Sequence, residues 1–443
     1  METCQRSFIL RRRFVSAMLL WSLVAGWPDA RAQSLSLDRE RGRTMLNAIK
    51  NDLKKSYYDP TYRGIDLDAR FKLAEEKIRE ATSVGQVFGV IAQALLELED
   101  SHTFFIPPSR SSRTDYGWQV QMIGNQCHVV AVKPGSDAEA KGLKPGDEIY
   151  SVDGSELTRE NLWKFQYVYY TLRPRPGMRV VVKRQDKLEQ LDVMAKVKQG
   201  KRVMDLASND IWDIVRDAEN EDRLSRHQYY EIGEELFIWK MPQFDLENSG
   251  VDSMMAKVKK RKALILDLRG NSGGYEITLQ RMLGHFFEQD LKVGDIKGRK
   301  ETKPLIAKTR GDDRIFKGKV VVLVDSKSAS SAEMFARMMQ LEKRGFVIGD
   351  QTSGAVMRAI HEPHQLGADT IVPYGVSVTV ADLIMADGKS LERVGVTPDE
   401  TLLPTGADLA ARRDPVLARA AELVGIKLDS EKAGALFPIE WRK

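Results

Sequence analysis

The sequence predicts a multidomain α+β protein in which helices come first, short strands follow, and alternating strands and helices end the chain. Apolar residues recur every three or four positions over 44–58, 67–81 and 84–98, which predicts three amphipathic helices. Short strands separated by turns fill 115–197, and short apolar strands alternate with helical segments from about residue 205 onward. The last pattern is typical of an α/β layer with a covered sheet.

The composition is that of a soluble globular protein, because 42% of the 443 residues are hydrophobic and 30% are charged. The formal net charge is +5, and the arginine-rich segment 1–32 accounts for more than half of it. The rest of the chain has no basic block, so we expect no nucleic-acid partner. Two cysteines, Cys4 and Cys127, are too few for a disulfide framework or a cysteine-based metal site. We predict no metal and no cofactor.

Residues 1–32 have the pattern of an export signal. Arginines fill 11–13, an uncharged and largely apolar stretch follows at 14–27, and Ala-Arg-Ala at 30–32 predicts cleavage before Gln33. The apolar stretch rises about 21 Å as a helix, which is short of a hydrocarbon core of ~30 Å. We therefore expect a periplasmic or extracellular protein with no stable membrane span.

The region after residue 205 supplies the elements of the α/β layer. Short apolar strands are predicted at 235–239, 263–267, 320–324 and 346–348, with helices at 280–288 and 332–342. The segment His361-Glu362-Pro363-His364 is interpreted as a surface loop and not as a zinc motif, because proline and the short spacing keep the two histidines off one helix face.

Two serines in this region compete for the role of a nucleophile. Ser272 lies in the Gly-Asn-Ser-Gly-Gly run at 270–274, which fits the G-x-S-x-G elbow between a strand and a helix. Ser330 lies where a strand ends and a helix begins, and a helix N-terminus offers unpaired N–H groups and positive potential to an oxyanion. Each pattern has a structural alternative, a glycine loop for the first and N-capping for the second.

The segment 138–154 resembles a PDZ domain. It contains a short predicted helix, the Gly-Leu-Lys-Pro-Gly-Asp turn at 142–147 and Ile149 on the next strand. PDZ domains bind extended peptides as an added strand and hold the terminal carboxylate with backbone N–H groups. The resemblance implies peptide or protein C-termini as partners. The candidate carboxylate loop, which also fits an ordinary strand entry, is Tyr116, Gly117 and Trp118.

Several motifs occur in a fixed order along the chain, at 100–103, 267–274, 328–336, 349–354 and 395–399. Together with the PDZ-like segment they resemble the C-terminal processing peptidases, also called tail-specific proteases. The resemblance covers nearly all of the mature chain and implies a crotonase-like α/β serine protease domain. It also implies Ser330 as the nucleophile, with the backbone N–H groups of Ser331 and of Gly273 or Gly274 as the oxyanion hole.

Under this resemblance the chain divides into five segments. They are a signal peptide (1–32), a helical N-terminal domain (33–108), a PDZ-like peptide-binding domain (115–197), an α/β protease domain (205–410) and a C-terminal helical extension (411–443).

One position departs from the family pattern. Many members use a Ser–Lys dyad with the lysine directly after the glycine that matches Gly354, but this chain has Ala355 there. The usual general base is therefore missing. Lys327, three residues before Ser330, is a weaker candidate base.

A subset of the family that resembles tricorn protease uses serine, histidine and glutamate, with another serine beside the histidine. That resemblance implies His102 as the base with Ser101 beside it, and Glu392 as the group that orients the imidazole and raises its pKa. His102 also fits a structural histidine at a domain junction, because lysine-dyad relatives carry an Asp-x-His-Thr motif too.

The prediction is an exported serine endopeptidase that cleaves peptides or unfolded protein tails through an acyl-enzyme. One alternative is a PDZ peptide-binding pseudoprotease, in which Ala355 marks lost chemistry. Another is an esterase that uses Ser272. A homo-oligomer is compatible with the sequence, which does not identify the substrate.

Overall fold

The computed structural model describes residues 30–109, 112–185, 187–199, 227–367, 371–439 and 441. Most of the predicted export signal lies outside the described residues, so its cleavage before Gln33 stays a prediction. No helix in the described ranges is long and apolar enough to cross a membrane.

Three helices open the described chain: α1 Ala30–Ser56, α2 Leu67–Glu80 and α3 Val84–Leu96. The predicted second and third helices are confirmed to within two residues at each end, whereas α1 begins well before the predicted position 44. Asp66 and Ser83 cap α2 and α3 by accepting hydrogen bonds from backbone N–H groups of the first turn. The apolar faces of the three helices pack together and against Phe105, in the strand that follows them, and against Tyr374 and Val376, in a strand far along the chain.

The region that resembles a PDZ domain is a five-stranded antiparallel sheet with order β3-β4-β5-β6-β7. Its elements are β3 Trp118–Ile123, β4 Gln126–Val132, α4 Asp137–Ala140, β5 Glu148–Val152, α5 Leu162–Gln166, a π-helix Tyr167–Leu172, β6 Gly177–Arg184 and β7 Lys187–Met194. A separate two-stranded pair, β2 Ser112–Asp115 and β8 Lys196–Gln199, closes the region at its two ends. Strand β3 is an edge strand of the five-stranded sheet.

The α/β layer is a six-stranded sheet with order β18-β15-β14-β11-β10-β9, parallel except for β9. Its strands are β9 Gln228–Ile232, β10 Leu236–Lys240, β11 Ala263–Asp267, β14 Lys319–Val324, β15 Phe346–Gly349 and β18 Glu400–Thr401. Alternate residues of the central strands belong to two different apolar clusters, one on each face. The predicted covered sheet is therefore confirmed, and every predicted strand lies within one or two residues of its position.

Helices cover both faces of this sheet. They are α6 Asn248–Val258, α7 Glu276–Leu283 and α8 Ser331–Leu341 on one face, and α10 Pro415–Leu423 and α11 Ser430–Leu436 on the other. The short helix α9 Gly406–Ala410, which precedes α10, lies against Gly146 instead. The predicted helix at 332–342 is confirmed as α8, but the one predicted at 280–288 is wrong in its bounds. α7 ends before Gly284, where a Cβ atom would lie 2.2 Å from the carbonyl oxygen of Lys308. Gly284 is the C-cap of α7 and allows this close approach of the Lys308 backbone, and the helix begins and ends earlier than its apolar spacing predicts.

A second, antiparallel sheet joins the start and the end of the chain. It contains β1 Phe104–Ile106, β12 Leu291–Gly298, β13 Thr302–Ala307, β16 Met357–Leu366 and β17 Val372–Met385. The segment 361–364, predicted as a surface loop, is part of β16, so that prediction is wrong. Pro363 is accommodated because β16 pairs with β17 alone among the described strands and is an edge strand. Pairing of β1 with β17 brings residues just before Phe104 to the C-terminal part of the chain.

Candidate active site

Three loops meet at one edge of the six-stranded sheet. They follow β11, β14 and β15, which are parallel neighbours and therefore end on the same side. In open α/β sheets this carboxyl edge is where ligands bind. The loops carry the glycine run 270–274, the serine run 328–331 and the segment 350–356, which contains the position of the missing lysine.

Ser330 is held in a strained backbone conformation at the start of α8. It is the N-cap of this helix with φ 54° and ψ −120°, a combination that non-glycine residues rarely adopt. Its N–H donates to the carbonyl oxygen of Ala355 at 2.9 Å and to Oε2 of Glu333 at 3.0 Å. Such strain concentrates at functional sites, where the surrounding contacts enforce it. The expected strand–serine–helix arrangement is present.

The glycine run packs directly on this serine. A Cβ atom at Gly273 would lie 2.6 Å from Cβ of Ser330 and 2.9 Å from the carbonyl oxygen of Ala329. The N–H of Gly273 donates to Oδ1 of the buried Asn271 at 2.8 Å. Within the described ranges, the N–H of Gly274 has no hydrogen-bond partner. Of the two glycine donors that the resemblance implies, Gly274 is thus the one that is available.

The loop and the helix N-terminus are also bonded to each other. Oγ of Ser331 donates to the carbonyl oxygen of Gly274 at 3.1 Å, and the N–H of Ala329 donates to the carbonyl oxygen of Asn271 at 2.8 Å. The N–H of Ser331 is in the first turn of α8 and so has no partner within the helix. Ser272, the alternative nucleophile, is exposed, and no histidine is hydrogen-bonded to it in the part of the chain that the structure describes.

Ser101, His102 and Glu392 form one hydrogen-bonded group. Oγ of Ser101 lies 2.6 Å from Nδ1 of His102 and donates to Oε2 of Glu392 at 2.8 Å, so the serine hydroxyl bridges the imidazole and the carboxylate. The N–H of Ser101 donates to Oε1 of Glu392 at 2.8 Å. A hydroxyl that donates to Glu392 accepts from Nδ1–H of His102, which leaves Nε2 of the ring as an acceptor.

This group is joined to Ser330 through two residues. The N–H of Val356 donates to Oε2 of Glu392 at 2.9 Å, and the carbonyl oxygen of the preceding Ala355 accepts the N–H of Ser330. Among the described residues, Nε2 of His102 makes no hydrogen bond. The structure thus joins Ser101, His102 and Glu392 directly and links Ser330 to them through Ala355 and Val356, whereas no hydrogen bond connects His102 to Ser330 among the described residues.

A buried aspartate shapes the turn that carries the histidine. Oδ1 of Asp100 accepts the N–H groups of His102 and Thr103 at 3.0 and 2.7 Å and the hydroxyl of Thr379 at 2.6 Å. Its Oδ2 accepts the hydroxyl of Tyr57 at 2.8 Å. Asp100 therefore holds the backbone N–H groups of His102 and Thr103 and joins this turn to Thr379 of β17.

Burial dominates the electrostatics of this group. It lowers the pKa of the His102 imidazole, although the nearby Asp100 carboxylate opposes the shift. It also raises the pKa of Glu392, against the hydrogen bonds from Val356 and Ser101. The net shift of the His102 pKa is therefore downward and not upward as expected, because desolvation of the imidazolium outweighs the attraction of the Asp100 carboxylate.

Lys327 points toward the PDZ region. Its positive charge acts on the Cys127 thiol in β4, whose pKa burial raises to about 12. No hydrogen bond joins Lys327 to Ser330 within the described residues.

A second histidine, His361 on β16, lies near His102. The two rings are close enough to interact electrostatically. Burial is the larger cause and this interaction the smaller one, and together they lower the pKa of His361 to about 4.

The predicted carboxylate loop of the PDZ region is partly occupied by its own residues. The side chains of Tyr116 and Trp118 are buried in the PDZ core. The N–H of Gly117 donates to Oδ1 of Asp115 at 3.0 Å, and the same carboxylate pairs with Lys133 at 2.7 Å. Ligand capture at this loop would therefore use backbone N–H groups and would compete with Asp115.

The PDZ edge strand contacts the nucleophile loop. Nε2 of Gln121 donates to Oδ2 of Asp325 at 2.7 Å, and Oγ of Ser326 donates to the carbonyl oxygen of Met122 at 2.5 Å. Oδ1 of Asp325 also accepts the N–H of Gly270 at 2.9 Å. One carboxylate thus bonds the PDZ region, the glycine run and the serine run together.

The described residues contain no group of three or more His, Cys, Asp or Glu side chains that could hold a metal ion. Sequence reasoning missed Glu333, the buried carboxylate that accepts the Ser330 N–H. The available signal was its place three residues after Ser330, which fits the S-x-x-E capping box.

Comparison with known families gives a match to the α/β layer and a match to the PDZ-like region. Residues 238–402 match the family model of peptidase family S41, and residues 114–194 match that of the PDZ domain. The fold and the match together define a serine-type peptidase domain joined to a PDZ domain. Residues 238–402 are thus similar to the peptidases of family S41, and the chain as a whole resembles the C-terminal processing, or tail-specific, peptidases.

Among curated relatives, the tail-specific protease of Haemophilus influenzae is 25% identical over 429 residues, which is 88% of this chain and 58% of the relative. A Streptomyces coelicolor protein that carries the name of a tricorn protease homologue is 31% identical over 165 residues, 37% of this chain and 13% of the relative. The chain thus spans less than two thirds of these relatives. The solved structure of mature CPAF covers 84% of this chain and 94% of its own, with 15% identity and a TM-score of 0.62, which shows a shared fold.

Replacement of Gly273 by alanine should abolish most reactivity of Ser330, because the new Cβ atom would displace the serine side chain. Gly270→Ala is the matched control, since φ is positive at both glycines but nothing lies within 4 Å of a Cβ atom at Gly270. Both variants should lose about 1 kcal/mol or more of stability from backbone strain. Only Gly273→Ala should lower the rate of labelling by a fluorophosphonate, by about tenfold or more. Equal labelling rates would contradict the packing of the glycine run on Ser330.

Proposed function

We propose that the chain is an exported serine endopeptidase with a tricorn-like Ser–His–Glu site in place of the Ser–Lys dyad. The observation that carries the proposal is the Ser101 hydroxyl, which bonds both His102 and Glu392 beside the segment that holds Ser330. Ala355 removes the family lysine, and the histidine group offers a complete replacement for it. The curated relative named after tricorn protease supports the same interpretation.

In the first half of the reaction, Nε2 of His102 takes the proton from Oγ of Ser330 as the oxygen attacks the substrate carbonyl carbon. The carbonyl π electrons move to its oxygen, and the N–H groups of Gly274 and Ser331 stabilise the resulting oxyanion. When the tetrahedral intermediate collapses, the C–N bond breaks and the imidazolium gives its proton to the leaving amine. The product is an acyl-enzyme on Ser330 and a free C-terminal fragment.

In the second half, water replaces the leaving fragment. His102 takes a proton from this water, which attacks the ester carbonyl, and then returns the proton to Oγ of Ser330 as the ester bond breaks. Ser101 and Glu392 hold Nδ1–H in place through both halves, so that the same tautomer is regenerated. No metal or cofactor enters this scheme.

Peptides or unfolded protein tails are the proposed substrates. The PDZ match and the edge position of β3 support capture of an extended segment by strand addition. The contacts of Gln121 and Met122 with the nucleophile loop place this edge strand close to the catalytic end of the sheet. A captured tail would therefore be presented near Ser330.

Export is the proposed location of the activity. It is supported by the arginines at 11–13, the apolar stretch at 14–27 and the Ala-Arg-Ala run at 30–32. Sequencing of the N-terminus of the secreted or periplasmic protein should give Gln33 or a residue close to it. Recovery of a membrane-bound product that retains residues 1–32 would contradict cleavage.

The proposal is tested by cleavage of an unstructured protein that ends in apolar residues, with the wild type and with Ser330→Ala. The wild type should cleave it and Ser330→Ala should not, while both bind it with similar affinity. Amidation of the substrate C-terminus should weaken binding if the carboxylate is captured. Binding without cleavage by the wild type would favour the pseudoprotease alternative.

Ala355→Lys restores the family lysine, and we expect no increase in kcat. The backbone of Ala355 already bonds Ser330 and Glu333, and an added ammonium beside His102 and Glu392 would compete for the carboxylate. Ala355→Met is the matched control because its side chain is long but uncharged. Activity of the lysine variant should be equal to or below that of the methionine variant. A tenfold gain would instead mean that the chain is a disabled dyad enzyme.

A further inference from the structure

Glu333 is a buried carboxylate that the scheme above does not use. It lies in the first turn of α8, three residues after Ser330, and its exposed fraction is 0%. Removal of a carboxylate from water is costly unless donors satisfy both of its oxygens. The identity of those donors therefore indicates what the side chain holds in place.

Each oxygen of Glu333 accepts two hydrogen bonds. Oε1 accepts the hydroxyl of Thr352 at 2.6 Å and the N–H of Gly354 at 2.7 Å. Oε2 accepts the N–H groups of Ser330 and Ala355, both at 3.0 Å. All four partners are uncharged, and three of them lie in the segment 352–355. One side chain thus joins the nucleophile to this segment.

The same segment leads to the carboxylate that is proposed to orient His102. The residue after Ala355 is Val356, whose N–H donates to Oε2 of Glu392. The carbonyl oxygen of Ala355 accepts the N–H of Ser330, so this residue bonds the nucleophile directly as well. A displacement of 352–355 would therefore disturb Ser330 and Glu392 together.

We propose that Glu333 is a positioning residue of the peptidase site, and that it must be ionised to hold Ser330 and the segment 352–355 in their reactive arrangement. The inference rests on the proposed serine-peptidase function. An ionised carboxylate has enough acceptor sites for four donors. A protonated one brings a fifth hydrogen into this shell, so either one N–H contact is lost or the Thr352 hydroxyl, which already accepts the N–H of Val396, turns from donor to acceptor.

This role has a consequence for the pH dependence of kcat. Burial raises the pKa of Glu333 to about 7, although its four hydrogen bonds oppose the shift. Burial lowers the pKa of His102 below its ordinary value. The segment 352–355 and its hydrogen bonds connect Glu333 to two other ionisable groups. They are Glu392 and, through the Ser101 hydroxyl, His102. As the pH falls, Glu333 is protonated before His102, and the acid limb of kcat follows Glu333.

The kinetic test compares the wild type with Glu333→Gln from about pH 5 to about pH 9. The amide keeps the size but puts an NH₂ group against two donors, so kcat at alkaline pH should fall about tenfold or more with little change in KM. The acid limb should also move to lower pH, because the remaining ionisation is that of His102. Glu333→Asp, which keeps the charge, should retain part of the activity and an acid limb that still depends on the carboxylate.

Glu276→Gln is the matched control. Burial also raises the pKa of Glu276, but its ion-pair partner is Arg358, and none of its hydrogen bonds in the described ranges reaches Ser330 or 352–355. This variant should keep the wild-type acid limb. In Glu333→Gln, an acid limb of kcat at the same pH as in the wild type would overturn the proposed role of Glu333. A kcat equal to that of the wild type would overturn it as well.

A second readout needs no catalysis and is made in the Ser330→Ala background. The folded-state pKa of Glu333 lies above the unfolded value of about 4.3, so the carboxyl contributes stability below that value and loses it as the pH rises through about 7. The measured quantity is the Tm of Ser330→Ala minus the Tm of the double variant that also carries Glu333→Gln. This difference should shrink as the pH rises over that range, because the amide does not titrate.

The two readouts separate the two ways in which the inference can fail. A Tm difference that stays constant with pH would overturn the titration of Glu333, whether or not the chain is a peptidase. Absence of peptidase activity in the wild type would instead overturn the proposed function.

Discussion

Replacement of His102 by alanine is expected to lower kcat by about 10⁴-fold or more, with the fold retained. The imidazole is the group proposed to remove the proton from Ser330, and the chain has Ala355 where the family lysine would stand. The turn around His102 is held by Asp100 through backbone N–H groups, which the substitution leaves in place. The measurement is kcat and KM on the unstructured substrate, with a thermal melt of each variant.

His364→Ala is the matched control for this prediction. His364 lies on β16, bonds Asp52 at 2.6 Å and stacks on Tyr374, so its loss affects packing of the N-terminal helices and not the proposed chemistry. It should lower Tm but leave kcat close to that of the wild type. Near-native activity in His102→Ala, together with loss of activity in Lys327→Ala, would mean that the base is a lysine.

Replacement of Glu392 by glutamine should lower kcat by about a hundredfold or more. Oε1 accepts the N–H of Ser101, and Oε2 accepts both the Ser101 hydroxyl and the N–H of Val356. A glutamine places an NH₂ group against one of these donors, whichever way the amide is turned. The Ser101 hydroxyl then loses its acceptor or its orientation, and the imidazole of His102 is no longer held in the reactive tautomer.

Glu99→Gln is the control for Glu392→Gln, because Glu99 is a neighbouring exposed carboxylate that pairs with Arg393. Exposed ion pairs contribute little to stability, and this one makes no contact with His102 in the described residues. The control should keep wild-type kcat within about twofold. An equal, small effect of both substitutions would mean that Glu392 has no role in orienting His102.

The parts of the fold that the sequence predicts well are those set by local patterns. The helices α2 and α3 follow from apolar spacing and the caps at Asp66 and Ser83, and β11 follows from a run of apolar residues. The glycine run and Ser330 are assigned to one site by the family resemblance, and the ends of parallel strands that meet at one sheet edge give the physical reason. These features depend on a few neighbouring residues.

The parts that the sequence could not supply depend on contacts between distant residues. Ser101 and Glu392 are 291 positions apart and meet only because β1 pairs with β17. The strand at 361–364 depends on its pairing with β17. The shift of the His102 pKa has the same origin, because burial is a property of the assembled site.

The central claim is that Ser330 is an activated nucleophile, and mapping of a fluorophosphonate label on the purified mature chain tests it most directly. We expect a single label on Ser330, no label in Ser330→Ala, and labelling that is slower by orders of magnitude in His102→Ala. A label on Ser272 would support the esterase alternative and contradict the account. A folded wild-type chain that takes no label, yet binds peptide tails, would contradict it in favour of a PDZ binding protein without peptidase activity.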